Sequence, residues 1–287
     1  MHLEGLGQRA AGKVYRELLS RQPLLTVFAG LMLALALPTA VMLAVDDRTW
    51  RDVAIWAKPL KFMLSTAAFA ATTAWFVGLL PRDMRTSPTV RGLAWAVVIT
   101  STFEVSYISL QAALGSGSHH NVSDPVHAAL FGLMAIAAVG LTTTQALLAW
   151  LIGRHSPERD TVFGRSVVIG LLLTFVLATA SGFMLGGQQP PPGLGLPVVG
   201  WHLCQADARP AHFMGVHAHQ WIPLAGWTLQ RFRISHATVW LTAVAIAYVI
   251  LWALLTRWAL CVEEGPGTDG AGQGPRRVIL NPEVACG

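Results

Sequence analysis

Long stretches almost without charge alternate along the chain with short segments that gather nearly all of its charges. The uncharged stretches are each roughly 20 residues long, which is the helical length needed to cross a hydrocarbon core about 30 Å thick. In hydrocarbon only a helix or a closed barrel satisfies its own backbone, and unbroken apolar runs of this length are helices. Seven runs read as spans: residues 24–45, 60–80, 92–114, 126–152, 166–186, 211–229 and 236–256. The predicted fold is an all-α polytopic integral membrane bundle of seven transmembrane helices. The sixth run is short and polar for a span. Before it comes a long connection carrying Pro190-Pro191-Pro192, which no helix can include.

Three regions follow from this pattern: a cytoplasmic N-terminal segment over 1–23, a transmembrane domain over 24–258, and a flexible tail over 259–287 rich in Gly and Pro. The first run is longer than a signal-peptide core and lacks a clear cleavage site, so it reads as a retained anchor.

Composition agrees. Hydrophobic residues make up 53% of the chain and charged residues 12%, against about 25% charged in soluble domains. The net charge of +5 does not point to nucleic acid, because the basic residues lie in the connections, where topology alone explains them. With the N-terminus inside, the inner segments hold Arg9, Lys13, Arg16, Arg21, Arg82, Arg85, Arg91, Arg154, Arg159, Arg165, Arg231 and Arg233, 12 of the 20 Lys and Arg. That bias places the N-terminus in the cytoplasm. Three cysteines are too few for a disulfide scaffold; Cys261 and Cys286 either pair or remain thiols.

Histidine is the one residue type whose distribution suggests chemistry. Of ten histidines, His119, His120, His127, His202, His212, His217 and His219 fall at or near the outer face. Imidazole is the commonest metal ligand and also ligates haem iron. On a helix, His212 and His219 share a face, while His217 lies on another with Gln220 and Trp221. One helix cannot bring all three to a single ion, so a metal site would need His119, His120 or His127 as well. Interfacial histidines bonded to water and headgroups are the plainer alternative.

Two further features stand out. Glu104 lies mid-span in the third run, and Gln111 follows on the same face with Tyr107 between, making a polar stripe that runs outward. An ionisable group at that depth usually faces a cavity or a partner. It reads as a base or proton path, or else as a protonated hydrogen-bond donor. Lys58 and Lys61 share a face at the outer edge of the second run, where they would hold an anionic substrate or simply snorkel. Arg209 joins this substrate-binding set, or pairs with Asp207.

The set Lys58-Pro59-Leu60-Lys61-Phe62, Glu104 through Gln111, Ser118-His119-His120-Asn121, Ala211-His212-Phe213 and His217-Ala218-His219-Gln220 resembles a family of uncharacterised bacterial membrane proteins. That family carries a Lys-Pro-x-Lys-Phe entry, a Ser-His-Phe-Asn loop and a His-Ala-x-Gln element. The resemblance covers about residues 56 to 225. It implies a multi-pass protein of the bacterial inner membrane and favours His119, His212 and His217 as ligands. It implies no reaction. His120 stands where the family has Phe.

Three functions fit these observations. The first is a transition-metal centre, zinc by preference, held by His119, His212 and His217 with Glu104 and Gln111 in support. It would activate water against a membrane-embedded or small-molecule substrate. The second is a b-type haem held by His127 and by His217 or His219. The third is a cofactor-free transporter or proton-coupled sensor.

Overall fold

The computed structural model of the protein describes residues 2–193, 195–196, 199–202 and 205–261, with the side chains of 12–260. Each predicted span is a helix in it. Helix α1 covers His2–Arg21, α2 Pro23–Val45, α3 Ala57–Val77, and a single turn α4 Arg82–Arg85. Then come α5 Pro88–Ala113, α6 Pro125–His155, α7 Val162–Leu173 and α8 Thr179–Gly187, the last two joined by a π turn over Thr174–Ala178. Helix α9 covers Arg209–Arg231 and α10 Ala237–Cys261. The N-terminal segment is therefore itself helical over most of its length. Cys286 and nearly all of the expected tail lie outside the described residues.

Local chemistry sets the helix starts. Pro23, Pro88 and Pro125 each stand in the first turn, where the missing N–H costs nothing. Gln22, Ser87, Asp124 and Thr161 each accept a first-turn backbone N–H through the side chain. The connection after α2 contains a two-strand hairpin, Thr49–Trp50 with Val53–Ala54. Its two-residue loop puts Arg51 and Asp52 at φ 53° and 63°, as a type I′ turn requires. The apolar/polar pattern gives no sign of it, because each strand is only two residues long.

Six helical segments are long and apolar enough to cross a membrane: Pro23–Val45, Ala57–Val77, Pro88–Ala113, Pro125–His155, Val162–Gly187 and Ala237–Leu260. Their outward faces carry large apolar side chains such as Leu37, Ile99, Ile136 and Phe183, which are 62–71% exposed. A surface this apolar needs lipid around it. The seventh expected span, α9, is 23 residues long and differs in composition. It packs along α7, the π turn and α10, leaving Trp221, Leu224 and Trp227 exposed, and its His212 and Gln220 side chains turn toward neighbouring helices.

Small residues allow that packing. A Cβ on Gly215 of α9 would lie 2.6 Å from the Ala178 nitrogen in the π turn, and one on Gly170 of α7 would lie 2.9 Å from Pro223. Small side chains at such crossings let helix backbones meet closely in a membrane. The main apolar core, with Leu25, Val77, Leu93, Leu148, Ile152 and Leu171, sits toward the end where α2 begins and α3 ends. At the opposite end the connections 46–56, 114–124 and 188–208 converge on polar groups.

Candidate functional site

The polar site is built from the first turn of α3, the connection after α5 and the start of α9. Lys58 is half-buried at the head of α3. Its Nζ donates to Ser118 Oγ at 3.0 Å and to His119 Nδ1 at 2.8 Å, and Ser118 Oγ and His119 Nδ1 are 3.1 Å apart. With Nδ1 accepting from lysine, the neutral His119 ring carries its proton on Nε2. Phe62 and Phe131 flank that ring, each with its centroid 6.1 Å away.

Other charges gather around Lys58. Lys61, Arg209 and Glu104 all lie within electrostatic range of it. No carboxylate pairs directly with Lys58 or Lys61 among the described residues. Lys61 is exposed and donates to the Val199 carbonyl at 3.2 Å. Arg209 is held in place: Nε and Nη2 form a fork on the Asp207 carboxylate at 2.8 and 2.7 Å, the geometry that makes such pairs strong. Burial works against the Asp207 carboxylate. The Arg209 guanidinium and the His202 amide bonded to it nevertheless hold its pKa below the ordinary value.

His119 is pushed the other way. Burial, then the Lys58 charge, then His120 and His212 hold its pKa well below the ordinary imidazole value, so it is neutral. His120, a φ 55° residue facing Phe131 at 5.1 Å, is lowered by burial and by Lys58 as well.

The expected three-histidine centre is not assembled among the described residues. Among the described residues no three of His, Cys, Asp or Glu are grouped to hold a metal ion. Each ring has its own partner instead. His119 faces Lys58; His212 Nδ1 lies 3.2 Å from Ser181 Oγ; His217 Nδ1 lies 2.8 Å from Gln220 Oε1, whose Nε2 donates to Thr72 Oγ1 at 3.4 Å. A cation at His119 also repels any further cation. The haem pairing gains no support either. His127 lies 2.5 Å from Asp124, the N-cap of its own helix. His219 is fully buried, edge-on to Phe69 at 4.8 Å, with Nδ1 donating to the Val216 carbonyl at 2.8 Å.

Glu104 is half-buried on α5, in the same electrostatic neighbourhood as Lys58. Gln111 is 3% exposed, and its Oε1 accepts the hydroxyl of Ser116, so it braces the connection that carries His119. Ser118 was not singled out by sequence reasoning, although it precedes His119 in the same motif. Ser181, Thr72 and Thr174 carried no signal at all, since Ser and Thr are ordinary in membrane helices.

The fold and site define a multi-pass helical membrane protein with a cationic, histidine-bearing polar site among its connections at one end. No family model, curated protein or solved structure matches the chain.

Proposed function

We propose that the protein is a proton-coupled anion-binding membrane protein, a transporter or sensor, that takes a small phosphate- or carboxylate-bearing molecule at this site. The N-terminus is cytoplasmic, α9 is a seventh crossing, and the site opens on the extracytoplasmic side. One observation carries the reading. Lys58 Nζ, with no carboxylate paired to it among the described residues, bonds a neutral imidazole at 2.8 Å and a serine hydroxyl at 3.0 Å, with Lys61 and Arg209 in electrostatic range.

The chemistry follows from charge. Lys58, Lys61 and Arg209 outnumber the acids near them, Asp207 and Glu104, and Asp207 is already committed to Arg209. An oxyanion would supply the missing counter-charge. Lys58 would turn its donors toward that anion and release His119 Nδ1. A neutral imidazole beside an anion, no longer facing a lysine ammonium, binds a proton more readily. Anion binding therefore raises the His119 pKa from its depressed value, and the protein takes up a proton. By linkage the anion binds more tightly as pH falls toward the ordinary imidazole range.

Sulfate is a suitable probe because it does not titrate near neutrality. Calorimetric titration of the detergent-purified protein with sulfate, in buffers of different ionisation enthalpy, should give saturable binding with net proton uptake. Lys58→Gln should weaken binding about tenfold or more, since a hydrogen bond to a charged group contributes about 1.5–3 kcal/mol. Acetate titrated in parallel separates carboxylate from tetrahedral oxyanion preference. Absence of saturable binding for both anions overturns the proposal, as does proton release on binding.

A further inference from the structure

The end of the bundle opposite the Lys58 site contains an open cleft of about 840 Å³ between α6 and α7. Its walls divide by polarity. Val168 and Leu172 of α7 and Trp150 of α6 form the apolar part, and Arg154, His155 and Arg159 form the rim. Among the described residues no acidic side chain lines it. Trp150 and Leu172 are 58% and 44% exposed, so the apolar part opens sideways onto the bundle's outer surface. Among the described residues the Arg154 guanidinium has no hydrogen bond or ion pair, although the Arg154 carbonyl accepts from Arg159 Nη1 at 3.0 Å. Arg159 shares Asp160 only through an exposed contact at 3.4 Å, which screens its charge little.

A cationic rim one helical turn beyond an apolar, laterally open groove matches one ligand shape. The charged end must sit at the membrane surface and the apolar end must lie among hydrocarbon. We infer that this cleft binds an anionic phospholipid. Its phosphate lies between Arg154 and Arg159, and an acyl chain lies along Trp150, Val168 and Leu172. A soluble phosphate would use the rim alone and leave the groove without an occupant. Basic pockets between membrane helices take anionic headgroups for this reason, at about 1 kcal/mol per Lys or Arg. The site is independent of the anion site at the other end.

Brominated lipids quench tryptophan, and Trp150 lines the groove, so the full chain in phosphatidylcholine nanodiscs can report occupancy. The signal is the difference in fluorescence between wild type and Trp150→Phe. A minority of brominated phosphatidylglycerol should quench that component several-fold more strongly than the same fraction of brominated phosphatidylcholine. Arg154→Gln should reduce the preference about fivefold. Arg154→Lys should keep most of it. The quenching of the variants by brominated phosphatidylcholine should match wild type, which checks that the groove is intact. Equal quenching by the two lipids in wild type, or a preference that survives both Arg154→Gln and Arg159→Gln, overturns the inference.

Discussion

Lys58 is the residue on which the site turns. It is a half-buried cation whose close partners are a serine hydroxyl and an imidazole, with no acid bonded to it among the described residues. Its neighbour His119 is kept neutral first by burial and second by that charge. Replacing Lys58 with Met keeps the apolar stem and removes the charge. The His119 pKa should then rise toward the ordinary imidazole value without reaching it, because burial remains. Imidazole nitrogen NMR on the labelled protein measures this. An unchanged or lowered pKa would mean that the lysine does not act on the ring. Linkage gives the same group a role in stability. Between its depressed folded pKa and the ordinary unfolded value, only the unfolded chain binds the proton. His119 therefore costs stability as pH falls below the ordinary range, and Lys58→Met should reduce that loss.

At the scale of elements, the informative feature is the seat of α9 against α7 and the π turn. Gly215 and Gly170 mark where backbones meet, and the backbone N–H of His219 donates to Thr174 Oγ1 at 2.9 Å. The π turn over Thr174–Ala178 faces this contact, in keeping with the tendency of such turns to occur at functional sites. Gly215→Ala would place a methyl group 2.6 Å from a backbone nitrogen that cannot move alone. It should lower stability by about 1–3 kcal/mol and lower the thermal midpoint in detergent. Gly132→Ala on α6 meets nothing within 4 Å and should be neutral or stabilising, by up to about 1 kcal/mol. Similar midpoints for the two variants would show that the α9 contact is looser than described.

For the whole molecule, α9 sets the number of crossings. At 1.5 Å per residue, its 23 residues extend about 34 Å, enough for a core of about 30 Å. Its polar side chains also find partners inside the protein, as Gln220 does with Thr72 at 3.4 Å. A reporter inserted near Gly195 should therefore be extracytoplasmic, and one inserted after Arg233 should be cytoplasmic, alongside reporters after Arg85 and Arg159. Reporters near Gly195 and Arg233 on the same side would remove the seventh crossing, and a cytoplasmic signal near Gly195 would reverse the orientation of the site.

The sequence by itself determined the helices. Hydrophobic run length and Pro, Ser, Asp or Thr at the first turns are local properties, and every expected span is a helix in the fold. It also singles out Lys58 together with Lys61, His119, Glu104 and Arg209, which the fold brings into bonding or electrostatic range of Lys58. It could not say which of them meet. Histidines gathered at one end suggested a shared ion. Tertiary structure instead gave each ring a separate partner: Lys58 for His119, Ser181 for His212, Gln220 for His217, Asp124 for His127 and Thr174 for His219. Membrane helices are locally alike in composition, and one-dimensional pattern specifies where a helix lies in the chain but not its rotation or neighbours. Those depend on small-residue contacts such as Gly215 against Ala178, which join residues far apart in sequence and exist only once the bundle has packed.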